Sequence, residues 1–202
     1  MGRKAVDVVL LPDGAMTAIA IEANSELVKK FGEKIVLNER NCLPHISLAM
    51  GSINDGDITA AGTILQLIAR ECTLRDLTIL GVQVSENAAG EKVSAFEVEK
   101  TEELQSLHET IMERLESYLT SDVTIDMICG YDNERIAETT LSWIRNYREK
   151  SSFGKFFPHI TIGYGEVSNL PAFPIIFAAS RLALCYLGNH CTCRSILTSI
   201  EF

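Results

Sequence analysis

The sequence is poor in basic residues: 18 Lys and Arg stand against 27 Asp and Glu, which gives 202 residues a formal net charge of -9. Proteins that bind extended duplexes present a broad basic surface, so this charge predicts no extended duplex binding. A small anionic ligand, or a few nucleotides in a local basic pocket, stays compatible with it.

Long hydrophobic runs are also lacking. No segment approaches the ~18 apolar residues that span a bilayer, so no membrane partner is expected. An apolar run begins at Ala5, but Asp7 interrupts it and a turn at 12–14 ends it. This pattern is typical of a core strand and not of a secretory signal.

Cysteine pairs with zinc-site spacing are missing too. The segment 190–193 reads HCTC, which gives Cys-x-Cys and not the Cys-x₂-Cys of common zinc sites. We therefore expect no metal and no cofactor. Without a secretory signal, reduced thiols and a cytoplasmic location are the default. The six cysteines are Cys42, Cys72, Cys129, Cys185, Cys191 and Cys193.

Hydrophobic residues make up 47% of the chain, enough for one sizeable domain or two small lobes that share a core. Strand and helix patterns alternate along it, with hairpins between some of the strands, which indicates an α+β or mixed α/β fold. The patterns predict helices over 16–31, 58–70, 101–119 and 134–149, and strands over 5–11, 35–37, 44–50, 74–84, 93–98, 157–164, 181–187 and 195–202.

One short phrase occurs twice. The segment 43–51 reads LPHISLAMG, and the segment 156–165 reads FFPHITIGYG. Each contains Pro-His-Ile, a hydroxyl residue, an apolar residue and a later glycine. Because side chains alternate along a strand, His45 shares a face with Ser47, and His159 shares a face with Thr161. A single copy would be unremarkable, but the matched pair predicts one site built from two segments.

Two histidines can divide acid–base work, since imidazole titrates near neutral pH. The neutral ring removes a proton from a nucleophile, and the protonated ring donates one to the leaving oxygen. Hydroxyls two residues further along can donate to non-bridging phosphate oxygens. Which histidine is the base depends on how the substrate lies, and the sequence leaves this open.

Two His-x-Ser/Thr motifs, one in each half of a chain of this length, resemble the 2H phosphoesterase superfamily, which includes the LigT-like 2′-5′ RNA ligases and cyclic nucleotide phosphodiesterases. The resemblance implies an α+β, bilobal LigT-like fold over residues 1–202. In this fold two antiparallel sheets with flanking helices surround a central cleft with pseudo-twofold symmetry.

The same resemblance implies metal-independent opening of a 2′,3′-cyclic or related phosphodiester. It assigns acid–base roles to His45 and His159, and phosphate binding to Ser47 and Thr161. LigT-type members often carry basic residues soon after the second motif, whereas here residues 163–166 read GYGE. A small nucleotide or RNA-end cyclic phosphate is therefore the favoured substrate.

Further candidate substrate contacts flank the second copy. Lys155 is a candidate phosphate contact, and Phe156 is a candidate for stacking on a base, since Phe157 is expected to start the buried strand. Tyr164 joins the site only if Gly163 introduces a bulge. His108 lies in a charged helical pattern and is expected at the surface. The loop at 130–133 is assigned no chemistry.

Two other functions remain open. The same cleft could bind a nucleotide or phosphorylated metabolite without turnover, as the missing basic track suggests. A metal-dependent hydrolase with both histidines as ligands is weaker, because a catalytic zinc needs three protein ligands and neither copy supplies a third. The sequence does not indicate an oligomeric state.

Overall fold

A computed structural model of the protein describes residues 2–74, 76–87, 89–130 and 134–202. These residues form four α-helices and seven β-strands. The helices are α1 (Gly14–Phe31), α2 (Ile58–Glu71), α3 (Glu102–Arg114) and α4 (Glu138–Lys150). The strands are β1 (Arg3–Pro12), β2 (Ile46–Asn54), β3 (Asp76–Glu86), β4 (Lys92–Val98), β5 (His159–Tyr164), β6 (Ile175–Leu187) and β7 (Cys193–Glu201).

The strands form one connected antiparallel sheet in the order β1-β2-β5-β4-β3-β6-β7, and β1 also pairs with β6. Two groups of strands can be recognised within it. One contains β2, β1, β6 and β7, and the other contains β5, β4 and β3. The two groups are joined at two places: β3 pairs with β6, and β2 pairs with β5. The expected α+β class with antiparallel strands and flanking helices is confirmed, with both groups bonded into a single sheet.

Local signals set the helix ends. The Asp13 side chain accepts a hydrogen bond from the Met16 amide and so caps α1. Gly32 ends this helix with φ 95°, a conformation that favours glycine, and its N–H bonds to the Val28 carbonyl. Thr101 caps α3 in the same way as Asp13 caps α1, through the Leu104 amide. Helix α1 therefore ends at residue 31, as predicted, and α3 begins one residue after its predicted start.

The main core lies between the sheet and the helices. It contains buried side chains from all four helices and from the strands of both groups. Burying so much apolar surface in one continuous cluster is the main favourable term that holds the groups together. Among the described residues, no helix is long and apolar enough to cross a membrane.

Several predicted boundaries were wrong. Residues 35–37 form no strand; the nearest pairing is an isolated bridge between Asn38 and Cys42. Helix α3 ends at Arg114, since turns and not a helix follow it. Helix α4 begins at Glu138, four residues later than expected. Most of the loop predicted at 130–133 lies outside the described residues.

Candidate active site

The two copies of the repeated phrase lie side by side. Strands β2 and β5 are antiparallel and pair at Ile46 and Ile160, whose side chains are both buried in the core. Because side chains alternate along a strand, the residues on either side of this pair face away from the main core. We call this opposite surface the histidine face. It carries four half-buried residues: His45, Ser47, His159 and Thr161.

Each half of the site is a pair of strands. The first half-site is β2 with its neighbour β1, and the second half-site is β5 with its neighbour β4. Continuing the antiparallel register by one residue sets His45 across from Thr161, and Ser47 across from His159. The four predicted site residues therefore form one array, with an imidazole and a hydroxyl from each half-site.

Both histidines are held by the same backbone contact. The Nδ1–H of His45 donates to the Leu43 carbonyl at 2.7 Å, and the Nδ1–H of His159 donates to the Phe157 carbonyl at 2.9 Å. A carbonyl only accepts, so the proton of each neutral ring is on Nδ1. This leaves the Nε2 lone pair of each imidazole free to exchange a proton with a ligand.

The pKa values of both histidines are lowered. Burial reduces the pKa of His45 to about 4, the bond to Leu43 opposes this, and the charge of a protonated His159 lowers it further. Burial also lowers the pKa of His159, against the effect of its bond to Phe157. The pairing of Ile46 with Ile160 places the two rings on the same face of the sheet. Both are neutral at neutral pH in the empty site.

A bulge occurs at the same position in both half-sites. In the first, Ser47 pairs with Val9 while Ala49 pairs with Val8, so that Leu48 is the extra residue. In the second, Thr161 pairs with Ala95 while Gly163 pairs with Ser94, so that Ile162 is the extra residue. Bulges re-aim the side chains around them and are common beside active sites. Here each one directly follows the hydroxyl residue of the motif.

A buried helix side chain supports each bulge. The carbonyl of Leu48 accepts a hydrogen bond from Nδ1–H of His108 on α3, at 2.7 Å. The carbonyl of Ile162 accepts one from the side-chain amide of Asn24 on α1, at 2.7 Å. Strand bulges leave backbone groups unpaired, and unpaired buried groups are costly. These two contacts therefore hold the backbone that positions Ser47 and Thr161.

The sequence reasoning missed Asp7 of β1. Its carboxylate is fully buried, and Oδ2 lies 3.8 Å from Nε2 of His45. Burial raises the pKa of Asp7 well above its usual range, an effect that the Ser47 hydroxyl and the backbone at 48 and 49 oppose in part. None of these neighbours completes a hydrogen bond of normal geometry with either carboxylate oxygen. The only sequence signal was an acid inside an otherwise apolar strand.

No protein-family model and no curated protein sequence matches this chain. Among solved structures, E. coli LigT complexed with phosphate aligns over 100% of this chain and 99% of its own, with TM-score 0.50 and 13% identity. The chain has a LigT-like fold. E. coli LigT in apo form gives TM-score 0.49 and 12% identity over 100% and 98% of the two chains. The complex with 3′-AMP gives 0.48 and 12% over 98% of each chain.

A bulge does precede Tyr164, but its contact with a ligand stays a prediction. Gly163 has φ 154° and lies at the bulge, which changes the direction of the next side chain. The Tyr164 hydroxyl is 3.1 Å from Nδ1 of His190, and Lys34 Nζ lies 4.7 Å above its ring. A basic residue thus lies beside Tyr164 although none follows the motif in sequence. Lys34 is also paired with Glu91.

The assignment of the two phenylalanines was wrong. Phe156 is only 3% exposed, and its ring stacks on that of His108 with centroids 4.1 Å apart. It belongs to the core and offers no surface to a ligand. Phe157 is 42% exposed and stacks on His159, with centroids 5.9 Å apart. Lys155 is exposed and donates to the Glu149 carbonyl at the end of α4, so its contact with a phosphate stays a prediction.

His108 is fully buried and not at the surface, so the expectation from its charged sequence neighbours was wrong. Its Nδ1–H donates to Leu48, and its Nε2 accepts the Phe153 amide at 2.8 Å. Both ring nitrogens are therefore used, and burial lowers the pKa to about 4. The charged residues around it in the sequence occupy the outer face of α3, while His108 joins the inner face.

The cysteines differ from the expectation in one respect. Cys185 and Cys193 form a disulfide between β6 and β7, so the prediction of uniformly reduced thiols is wrong. Both belong to a small apolar cluster that also contains Val9 and Leu11. These two residues flank Leu10, which pairs with Ile46 of the histidine motif. Among the described residues, no three His, Cys, Asp or Glu side chains are grouped as a metal site requires.

Two surface hollows lie away from the histidines. One of about 420 Å³ lies between α2 and α3, and one of about 360 Å³ lies between α2 and β7. Neither is lined by His45 or His159. The chemistry of the side chains, and not the size of a cavity, therefore identifies the candidate site.

Proposed function

We propose that this chain is a 2H phosphoesterase that opens a 2′,3′-cyclic or related phosphodiester by two-histidine acid–base catalysis without a metal. One observation carries the proposal. Two imidazoles, one from β5 and one directly before β2, are fixed by matching Nδ1 contacts, so that neither Nε2 atom is used by the backbone and both rings lie on one face beside two hydroxyls. The LigT-like fold is consistent with this assignment.

The chemistry follows from that arrangement. One Nε2 takes a proton from water, whose oxygen attacks phosphorus, and the other Nε2 gives a proton to the ester oxygen that leaves. Ser47 and Thr161 donate hydrogen bonds to the non-bridging oxygens, whose negative charge grows in the transition state. Ser47, His159 and Thr161 lie on strands and His45 directly precedes one, which keeps their geometry fixed before the substrate arrives.

The substrate is proposed to be a small nucleotide or an RNA end bearing a cyclic phosphate. The net charge of -9 disfavours a long nucleic acid. Near Tyr164, Lys34 provides a local positive charge that a short anionic ligand could approach. Phe157, exposed beside His159, offers a ring on which a base can stack.

Separate His45→Ala and His159→Ala variants test the assignment. Each should lower turnover of nucleoside 2′,3′-cyclic phosphates by about 10²–10⁴-fold, because each removes a positioned acid or base. EDTA should have no effect. Ser199→Ala, at an exposed position of β7, serves as the control and should retain wild-type turnover. Full activity of the double variant on every substrate that the parent cleaves would refute the proposal.

A non-catalytic binding module is the second candidate, and one observation favours it. The pKa of each histidine is lowered, so the empty site holds no imidazolium to act as the acid. Calorimetry with AMP and with cyclic phosphates, alongside a turnover assay, separates the two functions. Binding of these nucleotides without any product at high protein concentration would favour the module.

A cytoplasmic location stays part of the proposal. Disulfides are rare in that reducing compartment, so the disulfide between Cys185 and Cys193 is the observation that opposes this part of the proposal. Cell fractionation, combined with thiol labelling of the extracted protein, would test this point separately from the activity.

A further inference from the structure

The burial of Asp7 lowers the stability of the folded state. Its side chain is fully buried, and neither carboxylate oxygen completes a hydrogen bond with any described residue. A buried polar group without a partner costs stability, and a buried charge without a partner costs more. The neighbours of Asp7 along β1 are apolar, so an apolar residue would pack here at no such cost. Strongly perturbed carboxyls of this kind are concentrated at functional sites.

The contact that Asp7 does make is with a catalytic candidate. Its Oδ2 lies 3.8 Å from Nε2 of His45, the ring nitrogen that is not used by the backbone. Tyr147 of α4 and Cys191 also respond to the charge of Asp7, but burial raises the pKa of each, so both are neutral at neutral pH. On β2, the Ser47 hydroxyl partly opposes the rise in the pKa of Asp7. Among the ion pairs of the described residues, none joins Asp7 to a lysine or arginine.

The second half-site differs at this point. Asp7 pairs with Met50, and the matching pair of the second half-site is Val93 with Tyr164. Val93 therefore stands where the first half-site has its carboxyl. The nearest carboxyl on β4 is that of Glu97, which pairs across from His159 and is half-exposed. Glu97 forms no ion pair with His159 among the contacts of the described residues.

Catalysis by two histidines needs one proton that the rings alone do not hold. In the empty site the burial of both imidazoles favours their neutral forms. Burial of Asp7, with no hydrogen-bond partner for either carboxylate oxygen, raises its pKa and so favours the protonated acid. Oδ2 of Asp7 lies 3.8 Å from Nε2 of His45. Ionisable groups that interact strongly titrate as a pair, and the proton then belongs to the pair and not to one member.

We propose that Asp7 and His45 hold one proton between them, so that His45 is the proton donor of the reaction and His159 is the base. This assignment rests on the proposed function. Asp7 acts only through His45: its carboxyl lies beside Nε2 of that ring and is proposed not to contact the phosphodiester, which makes it a positioning residue. When the anionic phosphate lies beside His45, the proton moves from the carboxyl to Nε2 and the carboxylate remains as its counter-ion.

The proton count then balances. His159 takes one proton from water as the new oxygen–phosphorus bond forms. His45 gives its proton to the ribose oxygen as the old oxygen–phosphorus bond breaks. The pair of Asp7 and His45 has lost one proton and His159 has gained one, so exchange with solvent restores the starting state.

The kinetic test compares Asp7→Asn with Glu97→Gln. Each change removes one carboxyl from a strand beside one histidine and keeps the side-chain shape. In the pH profile of kcat/KM the alkaline limb reports the acid and the acidic limb reports the base. We expect Asp7→Asn to move only the alkaline limb, by at least about one pH unit downward, and to lower neutral-pH turnover by about 10 to 100-fold. Glu97→Gln should leave the alkaline limb in place.

An alkaline limb that stays in place in Asp7→Asn would overturn the proposal. A shift of the alkaline limb in Glu97→Gln would also overturn the proposal, because it would show that His159, and not His45, is the proton donor. Since the amide is also buried and unpaired, the thermal midpoint of each variant should be measured first. Asp7→Ala, which leaves no polar atom at this site, is the alternative if the amide prevents folding.

A second test needs no turnover and so separates this proposal from the proposed function. NMR of the ring carbons should show two titration steps for His45 in the wild type: its own at acidic pH, and a second where Asp7 ionises. In Asp7→Asn only the first titration step, that of the His45 ring itself, should remain. Infrared difference spectra between wild type and Asp7→Asn at neutral pH should contain a protonated-carboxyl band. One titration step in the wild type, or no such band, would refute the shared proton even in an active enzyme.

Discussion

The first and second half-sites can be compared position by position. In both, the histidine donates through Nδ1 to the carbonyl two residues earlier, a bulge follows the hydroxyl residue, and a buried helix side chain supports the bulge. Each bulge is supported by a helix that follows a strand of the other half-site. His108 lies on α3, which follows β4, and it supports the bulge of β2. Asn24 lies on α1, which follows β1, and it supports the bulge of β5. The backbone geometry is thus repeated while each half-site depends on a helix of the other.

The half-sites differ in the side chains around the histidine. Asp7 of the first half-site corresponds to Val93 of the second. Leu43, whose carbonyl holds His45, is buried, whereas Phe157, whose carbonyl holds His159, is exposed. A symmetric frame places two equivalent imidazoles, but the reaction needs an acid and a base. The unequal neighbours supply that difference, with a carboxyl on one side and an aromatic surface on the other.

The largest expected effect tests whether the half-sites act as one unit. If His45 and His159 serve the same transition state, removal of either should abolish most of the catalysis. The double His45→Ala, His159→Ala variant should then be about as active as the weaker single variant, because losses within a catalytic unit are not additive. Single-turnover rates with a nucleoside 2′,3′-cyclic phosphate provide the measurement. Multiplied losses in the double variant would indicate independent roles.

The two bulge supports should differ in their response to pH. The pKa of His108 is about 4 in the folded chain, whereas that of an unperturbed imidazole is 6.5. The folded state therefore binds fewer protons than the unfolded state between these values. Stability is full above about pH 6.5 and is lost as the pH falls toward 4, by about 3 kcal/mol from this ring. Asn24, the matching support, does not titrate.

Chemical denaturation of wild type and His108→Gln at pH 7 and pH 4.5 tests this difference. The variant is expected to be less stable than wild type at pH 7, because it fits the two hydrogen bonds less well. Its further loss on acidification should be smaller than that of wild type. His45 contributes a loss of the same sign in both proteins, so the comparison isolates His108. Parallel losses in the two proteins would contradict the assignment.

The hydroxyl pair provides a more symmetric comparison. Ser47→Ala and Thr161→Val each remove one donor to the phosphate and leave the backbone in place. Each should lower kcat by about 10²-fold with a smaller change in KM, since the donors act mainly on charge that develops in the transition state. Steady-state kinetics on the same substrate give both constants. A rise in KM alone would place the hydroxyls in ground-state binding.

The sequence predicted the parts of the site that depend on local alternation. Strand periodicity put His45 and Ser47 on one face, and His159 and Thr161 on one face, and the repeat predicted that the two copies would meet. It could not predict the bulges, because a register shift depends on the partner strand. The burial of His108 likewise depends on which face of α3 packs on the sheet, and the isolation of Asp7 depends on strands far away in sequence.

The smallest expected effect tests whether Phe157, and not the buried Phe156, stacks on the nucleobase of the substrate. Phe157→Leu gives the second half-site the residue type that the first has at Leu43. It should raise KM for a nucleoside cyclic phosphate by about 5-fold, which corresponds to about 1 kcal/mol of lost base stacking. A cyclic phosphodiester without a base should show no change in KM. Because Phe157 also lies against the ring of His159, a fall in kcat for both substrates would show instead that the aromatic ring orients the base catalyst and does not bind the nucleotide.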